Sequence, residues 1–330
     1  MDKVLITGGA GFMGWHLGAH LAERGYAVDL VDNLTRGVND ADLRDLVSRP
    51  DVRLLEVDLT QPDAMAGADT DYTFIVHFAA VVGVARVVEQ PFGVLRDNWA
   101  MLSNVLDFAR RQRSLQRFLF PSTSEAYAGT LEHFELPVPT PESAPITVPD
   151  LRRPRTTYMI SKIYGEAACH HAGVPYTIVR PHNVYGPRMG LSHVVPELLK
   201  KAHEEPDGGV LPVYSVNHRR TFCYVGDAVE VLSRVLESER CVDETLNLGA
   251  PGPEISIERL AELILETVGK TMRIEPLADT PGSPTRRRAD MSKTLGLIGF
   301  EPEVSIEEGL ELTYGWYRTN VFEGAGVSAR

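Results

Sequence analysis

Residues 3–32, KVLITGGAGFMGWHLGAHLAERGYAVDLVD, decide how this chain folds. Three apolar residues, Val4, Leu5 and Ile6, run into Gly8, Gly11 and Gly14. An amphipathic segment follows, then a second apolar run that stops at Asp32. That order reads as strand, glycine turn, helix and strand, with a carboxylate where a dinucleotide ribose would lie. Each glycine has a separate task. Gly8 permits the tight turn, Gly11 lets a diphosphate approach the backbone, and Gly14 lets the helix pack on the strand. The unpaired N–H groups at the helix start would hold the diphosphate. A carboxylate at Asp32 accepts hydrogen bonds from ribose hydroxyls and repels a 2′-phosphate, which favours NAD over NADP. Arg36 weighs the other way, since a nearby arginine can accommodate that phosphate.

The same alternation continues outward. Strands are expected at 4–7, 27–31, 52–56, 73–77, 117–122 and 177–180, with helices at 13–24, 94–111 and 157–172 between them. Strand–helix alternation with short turns predicts an α/β fold, a Rossmann-type doubly wound parallel sheet. Ligands in such a sheet bind beyond the carboxyl ends of the strands. His77, Ser122–Ser124, Arg180 and Asn183 all fall there. Residues 129–156 are proline-rich and read as a long loop over the cleft. After Pro187 the alternation weakens, and helices near 194–203, 226–238 and 257–268 with a strand near 209–214 predict a smaller mixed α/β lobe. The expected division is 1–187 for dinucleotide binding and catalysis and 188–318 mainly for substrate, with the chain free to cross back. A flexible tail is expected over 319–330.

The composition sets limits on partners. The chain has 330 residues, 43% of them hydrophobic, enough for a sizeable core. A formal net charge of -12 argues against nucleic acid, which needs clustered cations. Three widely spaced cysteines (Cys169, Cys223 and Cys241) make neither a disulfide framework nor a metal site legible. No apolar run reaches membrane-spanning length and no signal-peptide pattern opens the chain, so a cytoplasmic protein without a membrane partner is expected.

Tyr158 and Lys162 stand four apart in YMISK, which puts them on one helix face. A phenol titrates near a pKa of about 10. A neighbouring ammonium and an oxidised nicotinamide would favour the phenolate, and Tyr158 could then take a hydroxyl proton as hydride leaves the same carbon.

Beyond that pair, TGGAGFMG, Asp58 in VDLT, HFAA at 77–80, Asn98, PSTSEAY at 121–127, YMISK and RPHNVYGPRMG at 180–190 recur in one order. Together they resemble the extended short-chain dehydrogenase/reductases, specifically the NAD-dependent nucleotide-sugar epimerase/dehydratase group, over residues 3–317. The resemblance implies catalytic roles for Thr123, Tyr158 and Lys162, with Ser124 and Glu125 as further catalytic candidates. It implies cofactor contacts from Gly8, Gly11, Phe12, Met13, Gly14, Asp32, Asn33, Asp58, Leu59, Phe78, Ala79, Ala80, Asn98, Tyr158 and Lys162. Asn183 and Arg220 are implied to meet the diphosphate of a sugar nucleotide and Arg286 the nucleotide, with Val84 a further substrate-binding candidate; His182, next to Asn183, could reach the sugar or be a strand-end histidine bonded to backbone. The arginines also make sense unaided, because guanidinium forks bind phosphate oxygens. Arg219 and Arg287 are expected as solvated surface charges.

The implied activity is transient oxidation of a nucleotide-linked sugar, UDP or dTDP favoured, at C4, followed by re-reduction with NAD. Epimerisation at C4 is the first expectation. Glu125 opens two alternatives, UDP-glucuronate decarboxylation and 4,6-dehydration, because it could serve as an extra acid or base. A dinucleotide-binding sensor without turnover is the remote alternative. Helices 94–111 and 157–172 carry apolar residues on more than one face, so a homodimer through a four-helix bundle is expected.

Overall fold

The computed structural model describes residues 2–280 and 283–324, with the Val84 side chain excepted. Seven parallel strands form the main sheet: β1 (Lys3–Thr7), β2 (Ala27–Asp32), β3 (Val52–Glu56), β4 (Phe74–His77), β5 (Arg117–Pro121), β6 (Tyr176–Pro181) and β7 (Glu244–Leu248). Their spatial order is β3-β2-β1-β4-β5-β6-β7. The order therefore reverses between β1 and β4, and the crevice for a ligand opens at that reversal. Val4, Leu5 and Ile6 are wholly buried, the continuous apolar run of a parallel strand covered on both faces.

Helices cover the two faces. α1 (Phe12–Glu23) lies against β2, where a Cβ at Gly18 would stand 2.8 Å from Leu30 Cδ2. On the other face lie α2 (Pro91–Ala109) and α3 (Pro154–His171), which pack on one another and on Phe118 and Phe120. α3 starts at a proline, which suits the first helical position. Its buried residues are Thr156, Met159, Lys162, Gly165, Glu166 and Cys169, a stripe with helical spacing. Lys162 and Glu166 break the apolar pattern of that stripe.

The chain crosses back after residue 188. α5 (Val225–Glu237) packs against α1, and β7 pairs in parallel with β6, from Glu244↔Thr177 to Leu248↔Pro181. The smaller lobe is built from α4 (Val194–Glu204), α6 (Ile257–Val268) and α7 (Ile306–Tyr317) around the parallel strand pair Val210–Tyr214 and Arg273–Leu277.

Two expected features differ. The segment 129–156 begins inside a short helix, Ala128–His133, before running irregularly to the start of α3. Gly129 abuts the Thr147 carbonyl there, and Thr140 bridges to Ala289. The stretch expected as a tail opens with a π-helical turn, Arg318–Phe322, because aromatic partners are at hand. Phe322 stacks on Tyr317 and His203 at centroid distances of 5.6 and 4.9 Å. Residues 325–330 lie outside the described residues.

A Cβ at Gly165 would overlap the Phe120 ring and meet Leu102 Cδ2 at 3.1 Å. Gly165→Val is expected to cost about 1–3 kcal/mol in a denaturant melt and to lower turnover, because α3 carries Tyr158 and Lys162. Unchanged stability would mean that the helix does not sit this close to β5.

Candidate active site

A cavity of about 720 Å³ runs along the carboxyl ends of the strands from Asp58 to Lys162. The glycine turn forms its floor. Gly8 adopts φ +69°, and a Cβ there would lie 2.8 Å from the Ala79 nitrogen. A Cβ at Gly14 would collide with the Gly8 carbonyl, so helix and turn touch backbone to backbone. Gly9, not among the three expected glycines, is equally constrained, with its Cβ position 2.6 Å from Leu30 Cβ. The first turn of α1 holds no acidic residue, so its N–H groups face the cavity unopposed.

Asp32 Oδ2 accepts from Ala10 N at 3.1 Å and Oδ1 from Leu34 N at 2.9 Å. Burial pushes its pKa up, and those amides pull it back. Asp58 accepts from the Thr60 amide and hydroxyl at 3.0 and 2.8 Å, which lowers its pKa. An extended dinucleotide fits this cradle, since side chains at the glycines would fill it.

The expected cofactor residues line this cavity with one exception. Asn98 stands behind it: Oδ1 accepts from Val81 N at 2.6 Å, and Nδ2 donates to Ser161 Oγ at 3.0 Å. Its place is to hold the loop after Ala80. His77 also stands behind, its Nδ1 2.9 Å from the Thr7 hydroxyl oxygen and its pKa driven by burial down to about 3.

The expected catalytic residues come together where β5 ends. Tyr158 lies beside Thr123, whose hydroxyl lowers the tyrosine's pKa and whose Oγ1 accepts from Glu125 N at 3.1 Å. Burial first, then the Glu125 charge, pushes the Tyr158 pKa well above that of a free phenol; Thr123 and Arg36 pull the other way. Lys162, expected to favour the phenolate, turns its amine to the Pro121 carbonyl at 2.8 Å, with Nζ 4.9 Å from the Phe120 ring centroid. It lines the cofactor cavity, and burial lowers its pKa to about 8.

A second cavity of about 340 Å³ lies under the 129–156 segment, lined by Ser124, Glu125, Arg155, His182, Arg286 and Arg287 among others. Arg155 Nη2 approaches Glu125 Oε1 at 3.5 Å. Arg287 is half-buried and not the expected surface charge: burial lowers its pKa, while Glu125 opposes that. Arg219 is exposed, as expected, and donates to the Glu254 carbonyl.

The expected diphosphate contacts have partners within the protein, although Arg286 also lines this cavity. Arg286 is exposed and paired with Glu254. Arg220 is buried, donating to Ser283 Oγ at 3.0 Å and to the Pro284 carbonyl, so it shapes the loop below Arg287. Asn183, at φ +45°, donates to the Thr221 carbonyl at 3.0 Å. The Val84 side chain and the 281–282 pair lie outside the described residues. Arg155 was legible three residues before Tyr158, on the same helix face. Arg287 was not, because three consecutive arginines look alike until the strand orients them.

Sheet order, glycine cradle and Thr–Tyr–Lys corner define a dinucleotide-dependent enzyme fold with an adjoining polar pocket. The chain matches the NAD dependent epimerase/dehydratase family over residues 4–249, and it belongs to that family. It is 32% identical to UDP-glucuronic acid decarboxylase 2 of Arabidopsis thaliana across 99% of this chain and 72% of the relative. A solved UDP-galactose 4-epimerase is 28% identical, with TM-score 0.79, covering 97% of this chain and 99% of that one. A UDP-glucuronic acid 4-epimerase from Bacillus cereus, solved with UDP-glucuronic acid and NAD, is 25% identical with TM-score 0.79, covering 96% and 99%. The protein is thus an NAD-dependent nucleotide-sugar enzyme of the epimerase/dehydratase type. Among the described residues no helix is long and apolar enough to cross a membrane, and no cluster of potential metal ligands occurs.

Lys162 gives a test with a defined sign. Its folded pKa of about 8 lies below the ordinary 10.5, so between these values the unfolded chain binds more protons. The cost of burying it is full below pH 8 and fades as the pH rises towards 10.5. Lys162→Met is expected to stabilise the NAD-free protein by roughly 1–3 kcal/mol at neutral pH while abolishing turnover, with the gain shrinking in alkaline denaturant titrations. A variant less stable than wild type at neutral pH would contradict this.

Proposed function

We propose that the protein decarboxylates a UDP-linked uronic acid, with UDP-glucuronic acid as substrate. The observation that carries this reading is the grouping of Glu125, Arg155 and Arg287 in one cavity beside Tyr158. Epimerisation at C4 needs no carboxylate at that point, since Tyr158 alone removes and returns the proton. A uronate carboxylate suits guanidinium groups, which bind carboxylates in a planar fork. The Arabidopsis relative is named for this reaction, and the B. cereus structure holds this sugar nucleotide.

The glycine turn, Asp32 and Lys162 would hold NAD, which would supply the acceptor and later the donor of the hydride at the sugar C4. Tyr158 receives the C4 hydroxyl proton, oriented by Thr123. The oxidised sugar is a β-keto acid. Its C5–C6 bond breaks to release CO₂, and the electron pair stays as the C4–C5 enolate. Glu125 relays to C5 a proton taken up from solvent, Arg155 and Arg287 hold the acid group before it leaves, and Tyr158 returns its proton to the C4 oxygen. Ser124, Asn183 and Arg220 shape this pocket. We place the enzyme in the cytoplasm, where its cofactor and substrate are dissolved.

Incubation with NAD and UDP-glucuronic acid is expected to give a product lighter by CO₂. Glu125→Gln should slow release about 100-fold with substrate affinity little changed. An isomer of equal mass would replace this reading with 4-epimerisation, and loss of water would replace it with dehydration. Undiminished turnover in the variant would remove Glu125 from the reaction.

The same reading includes a homodimer. α2 and α3 present Phe92, Trp99 and Tyr164 outward, 74%, 40% and 53% exposed, with Trp99 and Tyr164 in edge contact at 4.6 Å. Two such helix pairs make a four-helix bundle. Light scattering is expected to give twice the chain mass, and Trp99→Glu to give the monomer; a monomeric wild type at working concentration would end the proposal.

A further inference from the structure

A buried polar chain begins at Glu166 and ends on the sugar cavity. Glu166 accepts from Arg180 Nε and Nη2 at 2.9 and 2.7 Å and from the Ser122 hydroxyl at 2.5 Å. Arg180 Nη1 donates to the Tyr127 oxygen at 2.7 Å, so the Tyr127 proton is directed onward, to Asn247 Oδ1 at 3.4 Å. The Asn247 amide is oriented independently. Its Nδ2 faces the carbonyl oxygens of Thr140 and Asp290, each at 3.0 Å, and these can only accept. Oδ1 therefore faces Tyr127 and His182.

His182 Nε2 lies 3.3 Å from that oxygen, so Nε2 carries the proton. The residue is 1% exposed, and burial with Arg287 nearby keeps the ring neutral. A neutral imidazole has one N–H, which leaves Nδ1 as a bare acceptor. Nδ1 is buried and has no partner among the described residues, while the ring borders the cavity that holds Glu125 and Arg287. A buried acceptor without a partner is costly, and the cavity can supply one.

We propose that His182 Nδ1 accepts a hydrogen bond from a hydroxyl of the bound sugar, so that His182 determines specificity by requiring a donor at one ring position. The proposal rests on the sugar-pocket reading above. It also orients the sugar. A carboxylate is repelled by a lone pair, so the acid group is directed to Arg155 and Arg287 and a ring hydroxyl to His182.

Two substitutions separate this role from a structural one. Asparagine offers an oxygen close to the place of Nδ1 and loses the contact with Asn247. Glutamine keeps a donor towards Asn247 and loses the acceptor. With NAD-loaded protein and UDP-glucuronic acid, His182→Asn is expected to stay within about threefold of wild type in kcat/KM, and His182→Gln to lose about tenfold. The reverse order would make His182 structural only and overturn the proposal.

Nitrogen NMR of the NAD-loaded wild type is the second measurement. It should find Nε2 protonated and Nδ1 unprotonated. UDP-glucuronic acid, or UDP-glucose run in parallel, should shift Nδ1, whereas UDP alone should not. A proton on Nδ1, or an Nδ1 signal unmoved by both saturating sugars, overturns the proposal. A shifted Nδ1 without CO₂ release fails the decarboxylase reading and leaves this assignment standing.

Discussion

The buried carboxylate of Glu166 is the constraint on which the site's geometry depends. It joins three elements at once: Glu166 belongs to α3, Ser122 follows β5, and Arg180 ends β6. The pair is almost out of solvent, with side chains 7% and 6% exposed. Losing one partner of such a pair costs about 3–5 kcal/mol, because the other charge is stranded. Neither partner can shift alone. One turn before Glu166 stands Lys162, and one turn before that Tyr158, so the clamp fixes where the catalytic helix lies against the strand ends. The fork geometry of Arg180 also leaves one N–H for Tyr127, which passes the clamp's orientation to the sugar side.

Burial and nearby charge disfavour the ionised forms of Tyr158 and Lys162. Tyr158 is held as a phenol by burial and by the Glu125 charge. Lys162 holds its proton less tightly than an exposed lysine and rests against the Pro121 carbonyl. Both arrangements oppose the charges that the proposed reaction needs, and both residues line the larger cavity. A cationic nicotinamide bound there would oppose the effect of Glu125 on Tyr158. The carboxylate raises the pKa of the phenol and, in the proposed reaction, would also transfer a proton at the neighbouring carbon.

The two cavities have different owners. Strand ends of the large sheet and the glycine turn make the first, so its shape follows from the order of the strands. The second is assembled from distant pieces: the turn after β5, the start of α3, the end of β6 and the strand Arg286–Arg287. That last strand pairs with Arg219–Arg220, and Arg220 in turn holds the 283–284 loop. Three of the chain's arginines thus build the wall, while Arg287 faces the pocket.

Residues 3–32 alone determined the fold class and the cofactor, because a turn with no room for a side chain leaves glycines at fixed intervals and a ribose carboxylate at a fixed distance. Tyr158 and Lys162 were legible for a similar reason, since four residues on a helix are neighbours whatever surrounds them. Nothing local distinguishes Arg287 from Arg286, or shows that Asn98, Asn183 and Arg220 brace the cavities from behind. Those roles depend on which partner each side chain meets across long stretches of chain, as Arg286 meets Glu254 and Asn98 meets Ser161. The state of His182 depends on Asn247, sixty-five residues away, whose own orientation is set by Thr140 and Asp290. Periodicity and turn chemistry act through neighbours in sequence, whereas hydrogen-bond polarity in a buried pocket is settled only when remote strands are brought together.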